Sequence, residues 1–505
     1  MRWPFPLVAL CGALSVPVQA LFETTYHSSS VVVQPFTILE KSPLYDPDNT
    51  NLFLVCPNGL EVAEPGAAIY KSNGELVWAE SSFGNCYNFN YQTYDGQQYL
   101  TLWVGAGGAA VGSQMGFGTV LMMNSSYDVV MNVSAVNPEG TDLHEFNIVK
   151  PENKTVLVTA FHTIPMDLSS IGGPVDGWYS NDIIQEIDIA TGAVLFNWTT
   201  FDHVALTESY NNISLTGQGF TEDNPFDAVH INSIDKDLEG NYLISARHTQ
   251  TIYKIAANET ILWRLGGKMS NFTALGKGTE FHFQHHVRWR MDETHISVFD
   301  DGGAFIATDV IIDEPVATGK YLKVDQEAMT VSLTKQFIPG PNRNYTLAEG
   351  STEPYGDTVV VGYGYTPWTQ AYSFDTEELL FSAVIGPDNA SLWNDNGINN
   401  YRAFQTSTLE FTGHPKLPPN VSVTDGAIFV SWNGATHVAS YTLLTGPSVW
   451  DVSKKVTKVP KSGFETKIKS AGSSEFIVVA ALAANGTTLG KSAVYRTSNG
   501  TVASD

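Results

Sequence analysis

The chain has 505 residues and a net charge of −25, with 43 glycines and 11% aromatic residues. So acidic a balance argues against nucleic-acid binding and for solubility. The Gly-rich, helix-poor composition suits an all-β protein.

The chain opens "MRWPFPLVALCGALSVPVQA", with one early arginine, an apolar run, and small residues at Val18 and Ala20. That pattern predicts a signal peptide (residues 1–20) cleaved after Ala20, hence a secreted or secretory-pathway lumen protein. No later stretch reaches the roughly 18 apolar residues of a spanning helix, so no membrane span is expected. Cys11 leaves with the signal, and an oxidising route favours a disulfide between the remaining Cys56 and Cys86. Its loop would contribute on the order of 3 kcal/mol; two free buried thiols are the other reading. Twelve Asn-x-Ser/Thr sequons occur, at Asn124, Asn132, Asn153, Asn197, Asn212, Asn258, Asn271, Asn344, Asn389, Asn420, Asn485 and Asn499. In an exported eukaryotic chain several would carry glycans and lie on the surface.

From here a single unit recurs: "AIYKSNGELVW", "NSSYDVVM", "EIDIATGAVLF", "IYKIAANETILW", "YLKVDQEAMTVS" and "AYSFDTEELLF". Each alternates apolar and polar residues, turns at Gly, Asn, Asp or Glu, and runs apolar again, which predicts a β-hairpin. The hairpins end at Trp78, Met131, Phe196, Trp263, Ser332 and Phe381, about 50 to 70 residues apart. Six such units predict a six-bladed β-propeller over 21–411; a large irregular sandwich is the other possibility. After Phe411, "GHPKLPPN" (412–419) reads as a linker. Residues 420–505 read as a small β-sandwich, whose Trp432 and Tyr441 resemble the fibronectin type III pattern. It offers no clustered acid, base or nucleophile.

No G-x-S-x-G elbow, H-E-x-x-H, Walker loop or Rossmann fingerprint occurs, which weakens serine hydrolase, zincin and nucleotide-dependent readings. The polar residues gather instead in "FDAVHINSIDKDLEGNYLISARHTQTIYKI" and "EFHFQHHVRWR", the latter holding His282, His285 and His286. His230 and Asn232 alternate with apolar neighbours and so face one way. Between Ile231 and Arg290 eight Lys/Arg stand against five Asp/Glu, a local balance of +3 that suits an anionic substrate. A metal site on His282, His285 and His286 is awkward, because adjacent strand residues point to opposite faces. "FDDGG" reads as a turn, although Asp300 and Asp301 also suit calcium.

Taken together, "VHINSID", "GNYLISARHTQTIYKI", "ILWRLGGK" and "FQHH" resemble the arylsulfotransferase family, in its fungal secreted branch. "TDLHEFNIV", "LTLWVGAGGAAVGSQMGFG" and "NYRAF" add to the likeness, which covers most of Leu21 to Phe411. It implies a six-bladed propeller that moves sulfuryl groups between phenols through a covalent sulfohistidine, with no cofactor and no metal. It places the nucleophile on His285, supporting histidines on His144 and His230, and Asn232 and Arg247 beside them. His248, His286 and Arg264 are expected to contact a small phenolic or other aromatic substrate. A neutral imidazole is a competent nucleophile near pH 7, and Arg247 offers a fork of donors to sulfuryl oxygens. The same funnel suits a secondary-metabolism enzyme that cyclises or joins a polyketide by orientation alone, or a secreted binding protein.

Overall fold

The structure is a computed structural model; it describes residues 23–107, 115–306, 309–312, 316–340, 346–387, 397–424, 426–469 and 474–503. The expected signal peptide, Asn344, Asn389 and the middle of the "LTLWVGAGGAAVGSQMGFG" motif lie outside these residues.

Six sheets follow one another along the chain, antiparallel except where Thr273–Ala274 pairs in parallel with Thr330–Phe337. Their innermost strands are Phe404–Ser407 (first sheet), Cys86–Tyr94, Phe146–Ile148, Ile231–Lys236, His285–Arg290 and Ser351–Tyr355 (sixth). Each contacts the next around a closed ring, which is the arrangement of a β-propeller. The first sheet joins the two ends of the ring, because Phe404–Ser407 pairs with Asn51–Val55. Each of the six sequence hairpins lies on the third and fourth strands of one sheet, counted from the axis, and Thr273–Ala274 and Phe36–Lys41 extend the fifth and sixth sheets beyond them.

The alternation read in the sequence has a two-sided purpose. In Asn51–Val55, Leu52 and Leu54 pack towards Trp78, Phe89 and Leu100, whereas Phe53 and Val55 pack towards Phe36, Val360 and Phe381. Successive side chains of one strand therefore enter two different cores. The same holds in the fourth sheet, where Tyr242 and Ile244 meet the third sheet and Leu243 meets the fifth. Six such cores fill the gaps between neighbouring sheets. Cys56 and Cys86 are bonded, tying the first sheet to the start of the second sheet's inner strand.

Residues 420–503 form two sheets around one apolar core. One holds Asn420–Thr424, Ala427–Ser431 and Glu465–Ile468; the other holds Lys454–Pro460, Ser440–Gly446, Phe476–Leu482 and Thr488–Lys491, with the short Tyr495–Arg496 also paired to Phe476–Leu482. Val430, Tyr441, Leu443, Ile477 and Val479 are buried between them. This unit sits on the outer strand of the first propeller sheet. Asn433 exchanges two hydrogen bonds with Ala79 (2.8 and 3.0 Å), and Tyr127, stacked on Trp78, donates to the Gly434 carbonyl at 2.8 Å. An otherwise open sheet edge is thereby covered.

Candidate functional site

One positional rule assembles the site. Every inner strand places a polar or aromatic residue at its N-terminal end: Tyr87, His144, His230, His285, Glu349 and Tyr401, one per sheet. Each is the first residue of its strand, the second, or lies within three residues before it, so all six converge on the same mouth of the ring. The local backbone is bent to suit. His230, His286 and Glu349 adopt φ of +60°, +53° and +70°, a region that residues with a Cβ adopt at a cost. Register shifts follow Tyr87, Ile231 and His285 in three inner strands, and such bulges re-aim side chains beside functional sites.

Three of the histidines are held by buried carboxylates. The Nδ1 of His144 lies 2.6 Å from Asp142, that of His230 lies 2.7 Å from Asp227, and that of His285 lies 2.6 Å from Asp301. Their rings are close: 4.7 Å separates the His144 and His230 centroids, and Tyr401 presents an edge contact to both His144 and His285. Burial, then Arg247, His230 and His144, hold the His285 imidazole well below its ordinary pKa. Burial likewise pushes His230 down to about 3, outweighing the pull of Asp227. Burial raises Asp301 well above the carboxylate range, with Arg247 opposing. One proton therefore lies in the bond between Asp301 and His285, and the Nε2 lone pair is left for chemistry. That Nε2 now receives only the Glu349 N–H, at a long 3.3 Å. Burial pushes the Glu349 carboxyl up to about 8, and its Oε2 is buried without a hydrogen-bond partner.

Arg247 is 2% exposed and only partly committed. One terminal nitrogen donates to His248 Nε2 at 2.7 Å and the other to the Leu347 carbonyl at 3.0 Å, while the buried Nε–H has no acceptor. His248 also donates from Nδ1 to the Asp227 carbonyl, so both its nitrogens are spent on aiming Arg247. Asn232 donates to the Gln284 carbonyl at 2.7 Å and thereby fixes the residue before His285. The Gln284 amide is in turn anchored on Ser245 and Ala246 of the fourth sheet.

The remaining sequence candidates are placed elsewhere. His286 turns away from Asp301: it accepts the Thr352 N–H and lines a cavity of about 320 Å³ at the opposite mouth, with Arg288 and Glu353. Arg264 stands on an outer strand in a two-point pair with Glu208, apart from the histidines. His282 contacts Gln250 at 3.0 Å. Asp300 is ion-paired with Lys320 at 2.6 Å, and Asp301 holds His285 through Oδ2 at 2.6 Å. Asp227, His230 and His248 are near enough to share a cation, their ligand atoms lying within 4.8 Å. However, His248 Nε2 accepts from the Arg247 guanidinium, and a positive charge so placed opposes a metal ion.

Several working residues escaped the sequence reading. Asp142 and Asp227 stand two and three residues before their histidines, in "TDLHEF" and "FDAVH", so a carboxylate just ahead of each histidine was a usable signal. Asp301 and Glu349 carried none. Below the histidines, Glu145 joins Arg288 (2.8 Å) and Arg402 (3.1 Å), and Arg402 also donates to the Asn232 carbonyl. This ion cluster is fully buried and binds three sheets at the axis. Both Glu145 and Arg402 lie in quoted motifs without a role being assigned to them.

Among solved structures, the chain is similar to a Bacteroides caccae protein of unknown function. They share 13% identity, over 70% of this chain and 98% of that one, with a TM-score of 0.39. It is also similar to the Myceliophteria thermophila Cps50 (Swd1) β-propeller domain, at 10% identity over 70% and 96%, with a TM-score of 0.35. Scores this low carry no argument; the ring of sheets stands by itself. No curated protein matches the chain. The profile of one family, Arylsulfotransferase (ASST), matches residues 90–384, which is more than half of the chain and includes four of the six converging residues, His144, His230, His285 and Glu349, with Tyr87 and Tyr401 outside it. The chain belongs to the arylsulfotransferase family.

Proposed function

We propose that this protein transfers a sulfuryl group from an aryl sulfate to a phenol through a sulfohistidine at His285. The observation that carries this reading is the neutral His285 imidazole, oriented by Asp301, beside the unpartnered Nε–H of Arg247. In the first half-reaction Nε2 attacks sulfur; the N–S bond forms and the S–O bond to the aryl group breaks. The sulfuryl group takes the place of the long Glu349 N–H contact, and Arg247 Nε donates to one of its oxygens. The departing phenolate takes a proton from Glu349, the protonated carboxyl in this layer. In the second half-reaction an acceptor phenol returns a proton to Glu349, its oxygen attacks sulfur, and the N–S bond breaks. His144 and His230, each with Nδ1 facing its aspartate, line the mouth beside His285 and position the ring whose single O–H proton passes to Glu349.

The expected test is incubation with a chromogenic aryl sulfate followed by intact mass measurement. The wild-type chain should gain the mass of one SO3, whereas His285→Ala should gain none and release no phenol. A wild-type rate in that variant would end the reading.

Export through the secretory pathway is part of the same proposal. The Cys56–Cys86 disulfide supports it, and none of the ten described sequon asparagines is buried. The strand order of the C-terminal unit, a three-stranded sheet facing a larger one, supports a fibronectin type III-like module.

A further inference from the structure

We propose that the cavity beside the His230–Asp227 pair is the aryl subsite, and that it is built for a cationic aromatic, a phenol bearing a protonated amine. The identity of the group being transferred rests on the sulfuryl-transfer reading; the binding preference does not. The cavity, about 480 Å³, is large enough for a single-ring amine. Phe117 and Phe161 meet edge to face, with centroids 5.0 Å apart, and give it an aromatic wall.

Its charged lining is mainly acidic. Glu139, Glu222, Asp223 and Asp227 all face it, with His162 paired to Glu139 at 2.6 Å, and no lysine or arginine does so among the described residues. Two oxygens on that lining, Ser180 Oγ and Glu139 Oε2, are buried and lack a hydrogen-bond partner, and Asp227 Oδ1 has only a long 3.5 Å contact with His248 Nδ1. Ser180 and Asp227 are only 2% and 5% exposed, so water does not readily satisfy them. Burial opposes ionisation of Asp227, yet attraction to His248 and His230 holds its carboxyl well below the usual range, so it stays an anion. Unmet acceptors, negative charge and aromatic faces together ask for an ammonium donor on a ring. A carboxylate-bearing phenol would meet repulsion at the same place. Asp227 lines this cavity and is linked to Arg247 through His248, so a ring amine held here would sit next to the transfer site.

The test is calorimetric binding of three probes of similar size to the full chain without any sulfate donor: tyramine, 4-ethylphenol and 3-(4-hydroxyphenyl)propanoate. Tyramine should bind about tenfold more tightly than 4-ethylphenol, the order expected of one partly desolvated cation contact, and the propanoate most weakly. In the Glu139→Gln/Asp223→Asn double variant, with its melting temperature checked against wild type, the tyramine preference should shrink towards unity. Equal affinities for the three probes in the wild-type chain would overturn the proposal, and so would a preference that survives in the folded double variant. Absence of the SO3 adduct alongside an intact tyramine preference would strike the transfer reading alone.

Discussion

The mouth of the propeller and the C-terminal sandwich are both β-structure, yet they spend burial differently. The sandwich core is apolar: Val430, Tyr441, Leu443, Ile477 and Val479 close it. The propeller keeps apolar packing between its sheets and concentrates buried charge on the axis, where His144, His230, His285, Arg247, Glu145 and Arg402 are each at most 3% exposed. Burying such groups costs several kcal/mol apiece unless each finds a partner, and nearly every polar atom there has one. The few left over, Arg247 Nε and Glu349 Oε2 among them, mark where a ligand would complete the network. A polar group at the axis is positioned by several sheets at once, whereas the sandwich has no comparable convergence point.

If that contrast is right, perturbations should rank by distance from the axis network. Arg247→Ala should lower kcat by ~10²-fold or more, because a buried charge donor at the developing negative charge is lost. Arg247→Lys should recover little, since lysine has no Nε–H at that position; steady-state kinetics on a chromogenic aryl sulfate measures both. Asp301→Asn should cost about 10- to 100-fold, the range for losing a group that orients a histidine. Its melting curve separates misorientation from unfolding.

Glu349→Gln should matter in proportion to the leaving group. With a nitrophenyl sulfate the effect should be small, and with an unactivated phenyl sulfate ~10²-fold. An acid must be protonated to act, so the wild-type kcat/KM for the poor leaving group should fall as pH rises through about 8, and that limb should vanish in the variant. The smallest catalytic effect belongs to truncation after Phe411. Turnover should stay at the wild-type level, while the melting temperature drops, because the Ala79–Asn433 pairing, the Lys461–Glu75 ion pair and the cover over Tyr127 are lost. Loss of turnover in a still-folded truncation would show that the sandwich supports the axis after all.

The sequence carried most of what depends on local pattern. Alternating apolar residues made the outer hairpins legible, because strands such as Val194–Thr199 and Ile261–Gly266 bury every second residue and turn at ordinary turn residues. The inner strands were less legible: Phe146–Ile148 is only three residues long, and His285–Arg290 is polar because its ends face the axis. The disulfide followed from Cys56 and Cys86 being the two cysteines left once Cys11 was assigned to an expected signal segment. The histidines of the mouth were legible as residue types and by family likeness, and His144, His230 and His285 do come together.

What the chain order alone did not determine was which neighbours would share their partners. His285 and His286 are consecutive, and one faces Asp301 while the other faces Thr352, because the strand bulges between them and His286 takes a positive φ. Arg264 lies in a motif with the site's likeness and is used on Glu208 at the rim. Asp301 and Glu349 reach His285 from 16 and 64 positions away. Composition and periodicity determine strands, since those depend on a residue and its immediate neighbours. The proton partner of a buried histidine depends on how a closed ring sets six strand ends against one another, and only the tertiary structure decides that.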